Sequence, residues 1–176
     1  ITRLGVPPGK QRFRAHLPEE RAHYSAQTYD HEAQLEWGWL EVAGHAYRTD
    51  YDLKAHAGVQ EPTILRLDGT RYVPHVVEPS FGLDRLFYTT LEHAYERRGK
   101  RNIFRIPRNI APTKIQVNPL VTRDGLPKQA RVLHQTLRDR GYAATYDESG
   151  SIGRRYARAD EIGTPLSITI DYDTKD

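Results

Sequence analysis

The chain has 176 residues and a formal net charge of +3, from 26 Lys and Arg against 23 Asp and Glu. It has no Cys, which excludes disulfides, thiolate zinc sites and cysteine nucleophiles. No stretch reaches the length of a membrane span and no signal-peptide pattern opens the chain; the mild basic excess permits contact with nucleic acid without demanding it.

Hydrophobic residues make up 38% of the chain, but its apolar segments are regularly spaced and punctuated, so a folded core is expected rather than disorder. There is no Met, and the chain starts at Ile1 and stops just after an apolar strand. The expectation is a piece of a longer protein.

Residues 1–20 hold three Pro and two Gly and read as loop, with RFRAH as a short extended piece. Alternation of Ala22, Tyr24, Ala26 and Thr28 predicts a strand over about 22–30. EWGWLEVAGHAY (36–47) has period two and predicts a strand with Glu41 in its middle, facing either water or a functional cleft. DYDLKAH (50–56) starts a short helix capped by Asp50. TILRL and RYVPHVVE flank Asp68-Gly69 and predict a hairpin over 62–78. Leu83, Leu86, Phe87, Leu91, Ala94 and Tyr95 recur at helical spacing, so 82–98 is read as an amphipathic helix ending near Gly99.

GKRNIFRIPRNIAPT (99–113) is basic and Pro-punctuated, a linker candidate. Beyond it the pattern becomes strand KIQVNPL, helix LPKQARVLHQTLRDRG, strand YAATYD, helix SIGRRYARADEIG and strand PLSITIDYD. That βαβαβ order predicts a small, mostly parallel α/β sheet with right-handed crossovers, and a boundary near residue 110.

VVEPSFGLDR (76–85) is the segment richest in chemistry. Glu78 at a strand end suits an ammonium group, Ser80 offers a hydroxyl beside it, and Gly82 opens the backbone to a ligand. Arg85, in the first helical turn, presents a rigid fork suited to phosphate. A plain strand–turn–helix with a solvated Arg and Glu fits the same residues equally well. Of the eight His, His16, His23 and His31 are spaced too widely for one helical face and His93 reads as structural; no spacing matches a zinc site. GSIGRRYARADEIG lacks the Lys-Ser/Thr ending of a P-loop and reads as a helix start, with Ser149 or Ser151 as cap and a basic face of Arg154, Arg155 and Arg158.

EPSFGLDR resembles motif 3 of class II aminoacyl-tRNA synthetases in the form seen in glycyl-tRNA synthetases. RFRAHLPEERAHYS (12–25) and GWLEVAGHAYRTDYDLKAH (38–56) are similar to catalytic-domain segments of that family, and ESGSIGRRYARADEIGTPLSITIDYDT (148–174) to its anticodon-domain segment. The four segments stand in family order. The resemblance implies an α+β fold: part of an antiparallel-sheet class II catalytic domain over 1–110, then an α/β anticodon-binding domain over 111–176, truncated at its C-terminus.

Roles are implied by the resemblance position by position. Glycine would be bound by Arg48 at its carboxylate, by Glu78 at its ammonium and by Ser80. ATP would be contacted by Glu41, Val42, Gly82 and Arg85, with Glu41 also helping to hold Mg²⁺. Arg154, Arg155 and Arg158 would contact tRNA, Tyr47 or Phe81 would wall the pocket, and the segment holding His16 and His23 makes these two candidates to flank the substrate cleft. The implied activity is glycine–tRNA ligation, in which ATP activates glycine to the adenylate and the glycyl group passes to the 3′ end of tRNA-Gly. A cytoplasmic homodimer with no membrane contact goes with it. The family's motifs 1 and 2 are not found, so the isolated chain is expected to be inactive. The stretch after Ala57 is also short for the archaeal and eukaryotic form. The alternative is a synthetase-like accessory protein that binds RNA or DNA without aminoacylating.

Overall fold

Strands β1 (Gln11–Ala15), β2 (Gln27–Leu35), β3 (Gly38–Thr49) and β6 (Val76–Phe81) form an antiparallel sheet in the order β1-β2-β3-β6. Between the last two lie helix α1 (Tyr51–His56) and the short pair β4 (Leu65–Leu67) and β5 (Thr70–Tyr72). These elements belong to one unit of the chain, Val6–Thr89; the other comprises Ile1–Gly5 with Thr90–Asp176. The computed structural model describes residues 1–56 and 65–174.

Alternation gives the first sheet two unlike faces. Strand register aligns Arg14 with Asp30, Thr28 with Ala46, Ala46 with Glu78, and Gly44 with Ser80, so one face is polar. Phe13, His31, Ala43 and Phe81 line up across the other, with His45 beside them on the same face. There the Phe13 and His31 rings stack with centroids 4.3 Å apart, and burial pushes the His31 imidazole below its ordinary pKa.

The strand expected over 22–30 starts later, at Gln27, because Ser25 makes a turn with Ala22 and caps it through Thr28 and the Gln27 carbonyl. The hairpin expected over 62–78 is shorter. Asp68 and Gly69 take φ of 50° and 79°, the left-handed pair that a two-residue hairpin turn needs. Its arms are only β4 and β5, and Pro74, which has no N–H to give, separates them from β6. Residues 62–64 of that expectation lie outside the described residues.

In the other unit β9 (Ile115–Pro119) lies between β10 (Ala144–Tyr146) and β11 (Leu166–Ile170), all parallel. Helices α3 (Leu126–Asp139) and α4 (Ile152–Glu161) connect them, as the βαβαβ pattern predicts. All five residues of β9 are buried, as a central parallel strand requires. Ile115 and Val117 pack with Leu126, Ala130 and Ile170, while the intervening Gln116 reaches the Asn118 amide oxygen at 2.9 Å and the Arg155 carbonyl at 3.1 Å.

Helix α2 (Leu83–Ala94) ends before Gly99, contrary to expectation. Tyr95–Arg98 (β7) instead pairs with Arg101–Phe104 (β8), so the linker candidate begins as a hairpin. Tyr95 faces Phe104 across it, and Glu96 takes ion pairs from Arg98 and Arg105, contacts a continued helix would forgo.

Gly163, which ends α4 at φ 72°, has no room for a side chain: a Cβ there would lie 2.7 Å from Ile106 Cδ1 and 3.2 Å from Phe104 Cβ. Gly163→Ala should therefore cost about 2–3 kcal/mol, from left-handed strain plus overpacking. A thermal melt reads this as a clear fall in Tm, and an unchanged Tm would contradict the packing described.

Candidate functional site

The polar face of the four-stranded sheet holds a cleft of about 290 Å³. Its floor comes from Gly44 and Ala46 of β3, whose small side chains leave space above the sheet. Glu78 and Ser80 of β6 stand on one side, and His16, Tyr24, Thr28 and Asp30 on the other. A second cleft of about 380 Å³ adjoins it, lined by Glu41, Val42, Ser80, Phe81, Gly82 and Arg85 among others. Glu41, Gly44 and Ser80 line both.

The first cleft carries opposite charges at close range. Arg48 Nη1 donates to Glu78 Oε2, while Arg48 Nε and Nη2 donate to the two Asp52 oxygens at 2.6 and 2.7 Å. The Arg48 guanidinium also lies 4.0 Å over the Tyr24 ring. Asp52, then Glu78, raise the Arg48 pKa far above its ordinary value, and Arg48 holds the Asp52 carboxyl below the usual carboxylate range.

The second cleft has its own pair. Arg85 Nη1 donates to Glu41 Oε2 at 2.9 Å and to the Glu41 carbonyl at 3.0 Å. Gly82 makes this reach possible, since a Cβ there would meet Arg85 Cδ at 3.2 Å. Gly82 also lines the second cleft beside the Arg85 stem. The Gly82 N–H donates to the Val42 carbonyl at 3.0 Å, which ties β3 to β6.

Glu41, Glu78, Ser80 and Arg85 therefore line adjoining clefts of one sheet face, and Arg48 reaches the first through its contacts with Glu78 and Tyr24. Of the two His candidates, His16 lines the first cleft, its Nε2 2.7 Å from Asp30 Oδ2, whereas the His23 ring packs edge-on to Tyr24 and Tyr51. Of the two wall candidates, Phe81 lines the second cleft, while the Tyr47 hydroxyl meets His75 Nδ1. Sequence reasoning missed Asp30 and Asp52. Asp30 had a signal: Thr28, Asp30 and Glu32 alternate, which puts polar groups on one strand face. Both Asp30 and Glu32 are buried, and Arg14 reaches both, with Asp30 Oδ2 at 3.0 Å.

In the other unit the expected basic face of α4 needs correction. Arg154 is exposed, but Arg155 is only 2% exposed. Its guanidinium donates to the carbonyls of Pro119, Gly150 at 2.7 Å and Ser149 at 3.4 Å, so it ties a loop to the sheet. Arg158 is partly exposed and grips Asp147 Oδ2 through Nε at 2.9 Å and Nη2 at 2.6 Å. Neither Ser149 nor Ser151 caps α4: Ser151 holds the N-cap position without a side-chain cap bond. A larger cleft of about 620 Å³, between α3 and β11, is lined by Val132, Leu133 and Ile170 with Lys128 as its one charged side chain, which gives it little chemistry. Among the described residues, no helix is long and apolar enough to cross a membrane.

Residues 114–176 match the family described as the anticodon binding domain. Over 97% of its length the chain is 39% identical to a glycine–tRNA ligase of Aeropyrum pernix, of which the match takes in 42%. It is 33% identical to the glycine–tRNA ligase of Methanothermobacter thermautotrophicus, over 97% of this chain and 44% of that protein. The Archaeoglobus fulgidus glycine–tRNA ligase is 31% identical over 99% of this chain and 44% of its own length. The chain thus spans less than half the length of the curated relatives it matches. The first of these alignments runs over 247 positions against a chain of 176 residues, so the relative carries internal segments that this chain lacks.

Proposed function

We propose that this chain, which carries an anticodon binding domain at 114–176 and resembles glycine–tRNA ligases along nearly its whole length, is the glycine-activating and anticodon-reading part of such a ligase. The observation that carries the reading is the pair of adjoining clefts, the first edged by Glu78 with Arg48 bound to it and the second lined by the Arg85–Glu41 pair.

Glycine is a zwitterion without a side chain, so recognition must rest on its two charged ends and on lack of room for anything larger. Arg48 and Glu78 supply anchors of opposite sign on one cleft. With glycine between them, one ion pair inside the protein is exchanged for two to the substrate, and Ser80 adds a hydroxyl beside the ammonium. ATP occupies the second cleft, with Arg85 turned from Glu41 to the phosphates and Val42 and Gly82 forming its edge. A glycine carboxylate oxygen attacks the α-phosphorus, and pyrophosphate leaves. A ribose hydroxyl at the tRNA 3′ end then attacks the acyl carbon, and AMP leaves. The residues do this by orientation and charge placement.

The Mg²⁺ that accompanies ATP would neutralise charge on the phosphates. Among the described residues no cluster of three metal-binding side chains stands ready for it. Glu41 fits as a single protein ligand, its side chain 44% exposed and on both clefts. Mg²⁺ is commonly held by one or two carboxylates, with phosphate oxygens and water completing the set.

The anticodon domain reads tRNA-Gly, with Arg154 and Arg158 as phosphate contacts and Arg155 as the residue that shapes their loop. The parent acts as a cytoplasmic homodimer. A non-acylating accessory role is less well supported, because such a protein has no need to keep Glu41, Arg48, Glu78, Ser80 and Arg85 together. Full-length protein given ATP, Mg²⁺ and labelled glycine should transfer label to tRNA-Gly. Binding of tRNA-Gly without transfer would establish the accessory role instead.

A further inference from the structure

We propose that Asp52, with Tyr24, is a positioning residue that fixes the Arg48 guanidinium so that only one edge is offered to the carboxylate of glycine; this rests on the ligase reading above.

A guanidinium has five N–H donors in a rigid plane. Asp52 takes two of them along the edge formed by Nε and Nη2, at 2.6 and 2.7 Å, and Glu78 takes one on Nη1. Two N–H groups are left at the end of the side chain. The Tyr24 ring covers one face of the plane at 4.0 Å. Both rotation about the last bond of Arg48 and tilting of the plane are thereby restrained. An Arg so held loses less freedom when it binds a carboxylate, and it binds in one orientation.

The backbone is bent to bring this about. Tyr47 pairs with Val77 and Thr49 with Val76, so Arg48 is the extra residue of a β-bulge. Bulges re-aim a side chain. Thr49 then takes φ 52°, a left-handed conformation that a β-branched residue adopts only under strain. That turn starts α1 directly and returns Asp52 to Arg48, four residues back. The bulge at Arg48 and the strained Thr49 that follows it both bear on the orientation of the guanidinium.

The test uses glycine-dependent exchange of pyrophosphate into ATP by the full-length protein, with 2-aminoethanol as a competitor that has the ammonium but no carboxylate. Asp52→Asn should raise the KM for glycine about 10- to 100-fold while the KM for ATP and the Ki of 2-aminoethanol stay within about threefold. Asp52→Glu should restore part of the loss. Tyr24→Leu should raise the glycine KM about three- to tenfold, and Tyr24→Phe, which keeps the ring over Arg48, should raise it clearly less than Tyr24→Leu does. The two Tyr24 variants decide the matter should Asp52→Asn fail to fold. An unchanged glycine KM in Asp52→Asn, or a rise shared equally by ATP and 2-aminoethanol, overturns the positioning role. Lack of glycine-dependent exchange in the wild type overturns the ligase reading itself, and this inference with it.

Discussion

Glu78→Ala in the full-length protein is expected to lower kcat/KM for glycine in pyrophosphate exchange by about 10²- to 10³-fold, the effect of leaving one end of a partly buried charge pair without its partner. In the free site Glu78, which borders the same cleft as Ser80, accepts from Arg48 behind it. Removing the carboxylate takes away the ammonium anchor and leaves Arg48 with Asp52 alone. Glu78→Gln should fall almost as far, because it keeps the shape but not the charge. The KM for ATP should change little, since Arg85 and Glu41 are untouched. Wild-type glycine kinetics in Glu78→Ala would remove Glu78 from the site.

Arg155→Ala has the largest expected effect on stability, about 3–5 kcal/mol, and a fall in Tm of more than about 10 °C for the unit that contains it. The side chain is buried and donates to three backbone carbonyls, those of Pro119, Ser149 and Gly150. Truncation takes the donor from the buried Pro119 carbonyl and releases the Ser149–Gly150 loop from the sheet. Arg155→Lys should rescue only part of the loss, because an ammonium cannot span all three in the plane a guanidinium provides. Arg154→Ala, at an exposed position one residue away, should melt within about 0.5 kcal/mol of wild type and weaken tRNA binding instead. Equal melts for Arg154→Ala and Arg155→Ala would contradict the division of labour described.

The contrast between these two arginines shows where pattern reading stops. Spacing on α4 placed Arg154, Arg155 and Arg158 on one basic face, but a helix in an α/β unit turns one side to the sheet, and Arg155 and Ala159 are on that side. An Arg is tolerated there because Gln116 and Asn118 make the sheet face beneath α4 polar and loop carbonyls need donors. The polar residues of an otherwise apolar KIQVNPL strand were the available hint.

Glu41 and Glu78 were legible for a different reason. A carboxylate inside a strand of good alternation, and another before Pro, Ser and Gly, both break local expectation, and such breaks mark candidate sites; the strand end expected at Glu78 is not found, because β6 runs on through Pro79 and Ser80 to Phe81 and leaves Glu78 within it. Asp52 was not legible: its contact with Arg48 depends on the bulge and on Thr49 turning left-handed, and no periodicity encodes either. The βαβαβ order beyond residue 114 was readable from helix spacing and closing glycines. The end of α2 was not, because the apolar stripe stops at Tyr95 and the conformation of 95–98 is decided by pairing with 101–104, a contact made later in the chain.

The most direct test of the account is pyrophosphate exchange by the full-length protein with glycine and with L-alanine, each in the presence of ATP and Mg²⁺. The cleft floored by Gly44 and Ala46 and anchored by Arg48 and Glu78 predicts rapid exchange with glycine and exchange at least about a hundredfold slower with alanine, whose methyl group must be excluded by lack of room. No exchange with glycine, or equal exchange with both, would contradict it.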